Sequence, residues 1–310
     1  MKLGIKVGPH PESIHDVLES KPDFVEVWYD CTRPDDYTEL FTFLTENRIE
    51  TGLHFWGSLT GLYPTLAYDD LAVTDEFMML MGKTIDIAGK NHFSYVNIHP
   101  GTRAKVAIDY TKETFNVLSK PSELHSSIQR FVQNTQKLRI YAEHQSILLT
   151  VETVAPKSYN QWIHNAASGR QKPFDAYELP IDAIMTASKQ GITIANDFAH
   201  TAGSCTDDDP NTIWEYLRTT TKTLASATRL IHLGFLIPPF NGTDFHDHFD
   251  HPFFETSDAV PNKFQMTELL KLFQNRDDMF SLAEPNGNHV KEFFFAQKIL
   301  ADAGVRNPQN

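Results

Sequence analysis

The sequence has few cysteines, no long apolar segment and no leader-like start, and each shortage excludes a class of protein. Its two cysteines, Cys31 and Cys205, cannot form a disulfide framework or a thiolate zinc site. No run of about 18 apolar residues is present to span a membrane. Residues 1–6 lack the apolar core of a signal peptide. We therefore expect a protein of the reducing cytoplasm that does not insert into a membrane.

Basic residues are also in the minority. The 310 residues include 40 Asp and Glu against 27 Lys and Arg, which gives a formal net charge of −13. Such a surface repels the phosphate backbone of nucleic acids unless its basic residues cluster, so duplex DNA is not an expected partner. Hydrophobic residues make up 41% and charged residues 22%, a globular composition that excludes wholesale disorder.

Short apolar runs alternate along the chain with longer amphipathic stretches, a pattern that predicts strands and helices in turn. The predicted strands cover residues 3–7, 24–29, 51–55, 94–99, 147–154, 192–197, 230–234 and 279–284. Helices are predicted over residues 35–47, 75–90, 121–144, 211–227, 262–275 and 288–303. Eight strands alternating with helices predict an α/β protein with a single (β/α)8 TIM barrel, residues 1–310 forming one domain. A doubly wound open sheet is the alternative, but Gly8-Pro9-His10-Pro11 does not fit its glycine-rich phosphate turn.

Residue types that bind metals collect at the ends of the predicted strands. They are His54, His99, Glu152, Asp197, His200, His232 and Glu284, with Asp244 and His246 in the loop after the seventh strand. Each alone has an ordinary explanation as a hydrogen-bonded histidine, a paired carboxylate or a helix cap. Together they would converge on one mouth of the barrel, where carboxylates repel one another unless cations neutralise them. Imidazole with carboxylate suits Zn, Mn, Fe or Co, so a divalent metal site is predicted.

The donors suffice for one to three ions per chain. One ion would be held by Glu152, Asp197, His232 and Glu284. A second would be held by His54 and His99, with Glu152 as a bridge. A third would be held by His200, Asp244 and His246. The alternative is that the additional histidines only orient substrate hydroxyls.

The order of these motifs resembles the xylose isomerase-like TIM barrels, also called AP endonuclease family 2, which include endonuclease IV and the tagatose-type epimerases. The resemblance is strongest at residues 97–101 (Asn-Ile-His-Pro-Gly) and 196–203, and at Glu152, His232-Leu233-Gly234 and Glu284-Pro285. Likeness to the epimerases implies a single Mn, Co or Zn ion on the first set of four donors. It also implies that Glu152 and Glu284 are the acid–base pair and that His200 contacts the substrate. Likeness to endonuclease IV implies zinc ions on all three sets.

Some loops depart from the nuclease pattern. Residues 9–12 contain no arginine and residues 56–63 contain no basic residue, whereas the corresponding loops of endonuclease IV insert into DNA. Asp247, His248 or Asp250 could replace Asp244 and His246 as loop ligands.

We therefore expect a metal-dependent isomerase or epimerase that acts on a sugar, a sugar phosphate or a polyol. An endonuclease IV-like phosphoester hydrolase with two or three metal ions is the alternative. Trp28, Trp56 and Phe235 at strand ends could pack against a sugar, although aromatic residues there more often belong to the core. Residues 160–173 are predicted to form a long loop over the mouth. The oligomeric state is not predicted.

Overall fold

The computed structural model describes residues 1–58, 60–112, 114–155, 177–240 and 247–306. The strands within these residues are β1 (Lys2–Val7), β2 (Phe24–Asp30), β3 (Glu50–Gly57), β4 (Thr60–Leu62), β5 (Tyr95–Ile98), β6 (Val106–Asp109), β7 (Thr114–Val117), β8 (Leu148–Glu152), β9 (Thr193–Asp197), β10 (Thr228–Leu233) and β11 (Phe280–Ala283). Eight of them pair in parallel and close a barrel in the order β1, β2, β3, β5, β8, β9, β10, β11. The predicted (β/α)8 barrel is confirmed.

Helices follow the barrel strands and pack around them. They are α1 (Pro11–Ser20), α2 (Thr38–Glu46), α3 (Leu71–Lys90), α4 (Leu124–His144), α5 (Ile181–Lys189), α6 (Phe198–Gly203), α7 (Pro210–Leu224), α8 (Lys263–Lys271) and α9 (His289–Asp302), with 3₁₀ turns at Pro34–Tyr37 and Pro252–Glu255. Side chains at the helix starts satisfy free backbone N–H groups. Asp209, for example, accepts from Thr212 N at 2.8 Å, and Asn262 forms a capping box with Gln265. No helix of the described residues is long and apolar enough to cross a membrane.

The amino-terminal half of the barrel interior is filled by apolar side chains. Phe24, Tyr95 and Phe280 pack with ring centroids 5.0–6.2 Å apart. Gly52 on β3 makes room for Tyr95, because a Cβ there would overlap the Tyr95 ring. With this end closed by the core, polar groups and ligands are left to the carboxyl ends of the strands, as in other barrels of this kind.

The strand register brings polar residues to the same level inside the barrel. Lys6 on β1 is paired with Glu26 on β2, and His54 on β3 is paired with Asn97 on β5. Paired residues of neighbouring parallel strands point to the same face of the sheet. All four are buried. The half of the barrel interior nearer the carboxyl ends of the strands therefore contains charged and polar side chains.

The structure also contains elements that the sequence did not predict. β4, β6 and β7 form a separate antiparallel sheet that lies after β3 and β5 in the chain. Helices α1, α5 and α6 were not predicted, and α3 begins at Leu71 rather than at residue 75. Residues 160–173 lie outside the described residues. The domain extent of 1–310 stays a prediction.

Candidate metal centre

Four predicted ligands converge at the carboxyl end of the barrel. Glu152 ends β8, Asp197 ends β9, His232 lies one residue before the end of β10, and Glu284 directly follows β11. Each offers one ligand atom, and these four atoms lie within 4.8 Å of one another. His232 Nδ1 is central, 3.3 Å from Glu152 Oε2, 3.5 Å from Glu284 Oε2 and 3.8 Å from Asp197 Oδ2.

The donor set fits a divalent cation. Both ring nitrogens of His232 are buried and make no hydrogen bond to a described residue, although carboxylate oxygens lie 3.2–3.8 Å away. Buried polar atoms without a partner are costly. An ion bound at Nδ1 would satisfy that lone pair and the facing carboxylates together. One nitrogen and three carboxylate ligands suit Zn, Mn, Co or Fe.

Electrostatics keep the carboxylates ionised. Burial alone would raise the pKa of Glu152, but the positive charge of His232, the largest opposing influence, holds that pKa well below its ordinary value. Burial also opposes ionisation of Glu284, yet His232 and Lys6 hold its pKa low. Burial would lower the pKa of His232, but the surrounding carboxylates raise it well above its ordinary value. A metal ion must therefore displace a proton from His232, which makes binding weaker at low pH.

A second group of ligand-type side chains adjoins the first through Glu152. It comprises His54, His99 and Glu152, with ligand atoms within 4.8 Å of one another. His54 Nε2 lies 3.0 Å from His99 Nε2 and 3.5 Å from Glu152 Oε2. Tyr63 Oη lies 3.0 Å from His99 Nδ1 and so orients that ring. The structure thus brings together the residues that the sequence proposed for a second ion.

His200 lies beside the cluster without joining either group. Its Nδ1 is 2.9 Å from the carbonyl oxygen of Thr153 and 3.1 Å from Glu152 Oε1. Its ring centroid is 6.5 Å from that of His99, across the mouth of the barrel. The proposed partners Asp244 and His246 lie outside the described residues. A third ion on His200 therefore stays a prediction.

The alternative loop ligands make other contacts. His248 Nδ1 lies 3.2 Å from Glu292 Oε1 on α9, where Glu292 also accepts from Phe249 N at 2.8 Å. Asp250 Oδ2 accepts from Lys291 at 2.5 Å. Asp247 Oδ2 is 3.8 Å from His251 Nε2. These side chains anchor the loop to α9 and to itself.

Lys6 and Glu26 lie inside the cluster, and neither was predicted from the sequence. Lys6 Nζ donates to Glu26 Oε1 at 2.5 Å and also to Glu284 Oε1, and it lies 2.6 Å from His54 Nδ1. Glu26 Oε2 accepts from Tyr95 Oη at 2.9 Å. The available signal was a charged residue within each of two apolar strands, Leu-Gly-Ile-Lys-Val and Phe-Val-Glu-Val. Both residues lie inside their strands, whereas the predicted ligands collect at the strand ends.

A cavity of about 430 Å³ opens next to the cluster. Its aromatic wall includes Trp28, Trp56 and Tyr110, with ring centroids 5.3 Å apart between the tryptophans and 4.6 Å between Trp56 and Tyr110. Trp56 Nε1 is buried there without a hydrogen-bond partner among the described residues. Lys6 Nζ lies 5.7 Å from the Trp28 ring centroid, which connects the cavity to the cluster.

The polar wall of the cavity carries His10, Asp30, Arg33 and Asp36. Phe235, in contrast, packs in the core with its ring centroid 4.9 Å from that of Phe254. It therefore does not line this cavity.

Comparison with known proteins finds the same fold at low sequence identity. No family model and no curated protein matches the chain. A D-tagatose 3-epimerase-like protein superposes with a TM-score of 0.66 and 13% identity over 98% of both chains. Endonuclease IV from Thermus thermophilus superposes with a TM-score of 0.56 and 13% identity, also over 98% of both chains. D-psicose 3-epimerase from Clostridium cellulolyticum, solved with D-tagatose, superposes with a TM-score of 0.55 and 15% identity. The match covers 98% of this chain and 91% of that one.

These likenesses show the fold. The chain shares the barrel fold of these epimerases and of endonuclease IV, the proteins that its motifs resemble. Sugar epimerases and endonuclease IV share this fold, so the reaction has to be argued from the site.

Proposed function

We propose that the protein is a metal-dependent isomerase or epimerase of a small polyhydroxylated substrate: a sugar, a sugar phosphate or a polyol. The observation that carries the proposal is the placement of Glu152 and Glu284. Both carboxylates are within 3.5 Å of His232 Nδ1, yet they come from strands separated in the barrel by β9 and β10. They therefore approach the same point from two sides.

This placement suits proton transfer at carbon. An isomerase or epimerase must remove a proton from a carbon beside a carbonyl and return one, at a neighbouring atom or from the opposite face. In this proposal Glu284 and Glu152, which face the same point, accept and return the proton. A divalent ion on Glu152, Asp197, His232 and Glu284 would supply Lewis-acid polarisation of the substrate oxygens. We assign His200, whose Nδ1 lies 3.1 Å from Glu152 Oε1, to contact with a substrate hydroxyl.

The adjoining cavity supports a substrate of sugar size. Its 430 Å³ is within the range of small-molecule sites, about 300–1,000 Å³. Trp28 and Trp56 offer apolar faces to the C–H groups of a sugar. Two of the similar structures, the D-tagatose 3-epimerase-like protein and D-psicose 3-epimerase, bear names of sugar epimerases.

Hydrogen exchange at substrate carbon tests this proposal. Protein loaded with Mn, Co or Zn is incubated in D₂O with a panel of ketoses and aldoses, and NMR follows deuterium at the carbons next to the carbonyl. We expect wild-type protein to introduce deuterium into at least one sugar, and Glu284→Gln and Glu152→Gln to abolish it. Absence of exchange for every sugar, with folded and metal-loaded protein, would overturn the proposal.

Endonuclease IV-like hydrolysis is the second candidate function. The observation that favours it is the additional group of His54, His99 and Glu152, together with the likeness to the Thermus endonuclease IV. The net charge of −13 and the absence of basic residues in the 56–63 loop oppose binding of duplex DNA. Incubation with an abasic duplex at low salt, with zinc or manganese, distinguishes the two. We expect no strand cleavage.

A further inference from the structure

The side chain of Lys6 ends among residues that could hold a metal ion. Glu26, His54, His232 and Glu284 surround this position, and each offers a ligand atom within 4.8 Å of the others. Lys6 Nζ contacts three of the four: Glu26 Oε1 at 2.5 Å, His54 Nδ1 at 2.6 Å, and Glu284 Oε1. Its exposed fraction is 1%, so water does not compete for these contacts.

The three contacts match the chemistry of an ammonium group. A protonated lysine has three N–H donors and no acceptor. Glu26, Glu284 and His54 provide three acceptors, which satisfies the group completely. The carboxylates of Glu26 and Glu284, both in contact with Nζ, balance its positive charge. Lys6 is a fixed positive charge at the centre of the cluster.

We propose that the Lys6 ammonium is a built-in cation that keeps a second metal ion from the group of His54, His99 and Glu152, so that the two adjoining groups together bind one divalent ion, on Glu152, Asp197, His232 and Glu284. The proposal deepens the proposed function and rests on its metal centre. It assigns His54 and His99 to orienting substrate and Glu152 rather than to holding an ion.

The contact between Lys6 and His54 explains how a second ion is excluded. Two donors cannot face each other at 2.6 Å, so His54 Nδ1 accepts from Lys6 and the ring proton lies on Nε2. Nε2 is the nitrogen that faces His99 and Glu152. To bind a metal at Nε2, His54 would have to lose that proton and become an imidazolate, or move it to Nδ1, where it would face the Lys6 ammonium. Metal-bound histidines show the reverse arrangement, in which the second nitrogen donates to a carboxylate or carbonyl.

Charge adds to this exclusion. A divalent ion between His54, His99 and Glu152 would lie on the far side of the His54 ring from the ammonium, with only that ring between two positive charges. Repulsion at such short range in a buried site is strong. The first ion position benefits instead from three carboxylates, and Lys6 bonds to Glu284 through Oε1 while Oε2 faces His232.

Metal stoichiometry tests the proposal directly. Protein is loaded with excess Zn²⁺, freed of unbound ion by gel filtration and assayed by elemental mass spectrometry. We expect one ion per chain for wild type and two for Lys6→Met, which keeps the length of the side chain and removes its charge. Lys2→Met is the matched control, because Lys2 is on the same strand but pairs with Glu50 at the opposite end of the barrel. It should bind one ion.

Each other outcome contradicts a distinct part of the proposal. An equal number of bound ions in wild type and Lys6→Met would overturn the role of Lys6 and leave the proposed function intact. No ion in wild type would overturn the metal centre itself, and with it both proposals.

The wild-type protein gives a second readout that does not depend on the folding of the Lys6 variant. Long-range ¹H–¹⁵N spectra report which nitrogen of each histidine carries a proton or a metal, and His54→Gln assigns the His54 signals. We expect zinc to shift the signals of His232 and to leave His54 protonated at Nε2. Signals of a metal-bound His54 nitrogen would refute the proposal.

Discussion

Asn97 should control metal affinity although it contacts no ion. Asn97 Nδ2 donates to Glu152 Oε2 at 2.5 Å, and Asn97 Oδ1 accepts from Thr150 Oγ1 at 2.9 Å. This chain of hydrogen bonds fixes the rotation of the Glu152 carboxylate, which faces His54, His99, His200 and His232. Asn97→Ala removes the donor and leaves the carboxylate free to turn.

The expected magnitude follows from two independent considerations. A hydrogen bond to a charged group contributes about 1.5–3 kcal/mol. Removing the group that orients a metal ligand typically reduces affinity by about 10- to 100-fold, or about 1.4–2.8 kcal/mol. Since Asn97 and Glu152 are both fully buried, water cannot replace the lost donor. We therefore expect Asn97→Ala to bind Zn²⁺ about 10- to 100-fold more weakly than wild type.

Competition with a chromogenic zinc chelator measures this change. Asn47→Ala is the control, because Asn47 is exposed at the end of α2 and donates only to Phe43 O. It should leave affinity unchanged. An Asn97→Ala affinity within about twofold of wild type would refute the reasoning, since Glu152 would then need no orienting partner.

Three further predictions concern the cavity, the backbone and acid stability. Trp56→Ala should raise KM about tenfold with a smaller effect on kcat, since it removes an aromatic face from the cavity; steady-state kinetics on the identified substrate would check it. Gly101→Ala should lower the free energy of unfolding by about 3 kcal/mol in urea titrations, because φ is +84° and a Cβ would overlap the backbone of Thr65. Gly191 has a φ of +82° but open space around it, so Gly191→Ala should lower the free energy of unfolding by only about 1 kcal/mol. Burial would raise the pKa of Asp23, but hydrogen bonds from Arg306 and a backbone amide lower it. Asp23→Asn should therefore lower the free energy of unfolding by about 1 kcal/mol at pH 7. The difference in stability between variant and wild type should vanish as the pH falls through the lowered pKa of Asp23, below 3.8.

The barrel and the ligand-type residues at its mouth could be predicted from the sequence for a physical reason. Parallel strands in a closed barrel place their carboxyl ends around one mouth, so polar residues that end successive apolar runs must meet. His54, His99 and Glu152 form one group, and Glu152, Asp197, His232 and Glu284 form the other. Their roles as ligands and acid–base groups stay predictions.

Other features depend on relations that a single sequence does not display. Lys6 and Glu26 face inward because of the register between β1 and β2, which is set by the whole barrel. The small sheet of β4, β6 and β7 is built from short strands, and the pairing of β4 with β6 joins residues that are distant in sequence, such as Thr60 with Asp109. The contact of His248 with Glu292 likewise depends on where α9 packs.

Anomalous diffraction from zinc-loaded crystals tests the metal centre most directly. We predict an anomalous peak bonded to Glu152, Asp197, His232 and Glu284 at about 2.0–2.2 Å, the usual zinc–oxygen and zinc–nitrogen distances. Ordered side chains in the arrangement described, with no anomalous peak among those four residues, would contradict a metal centre at this position.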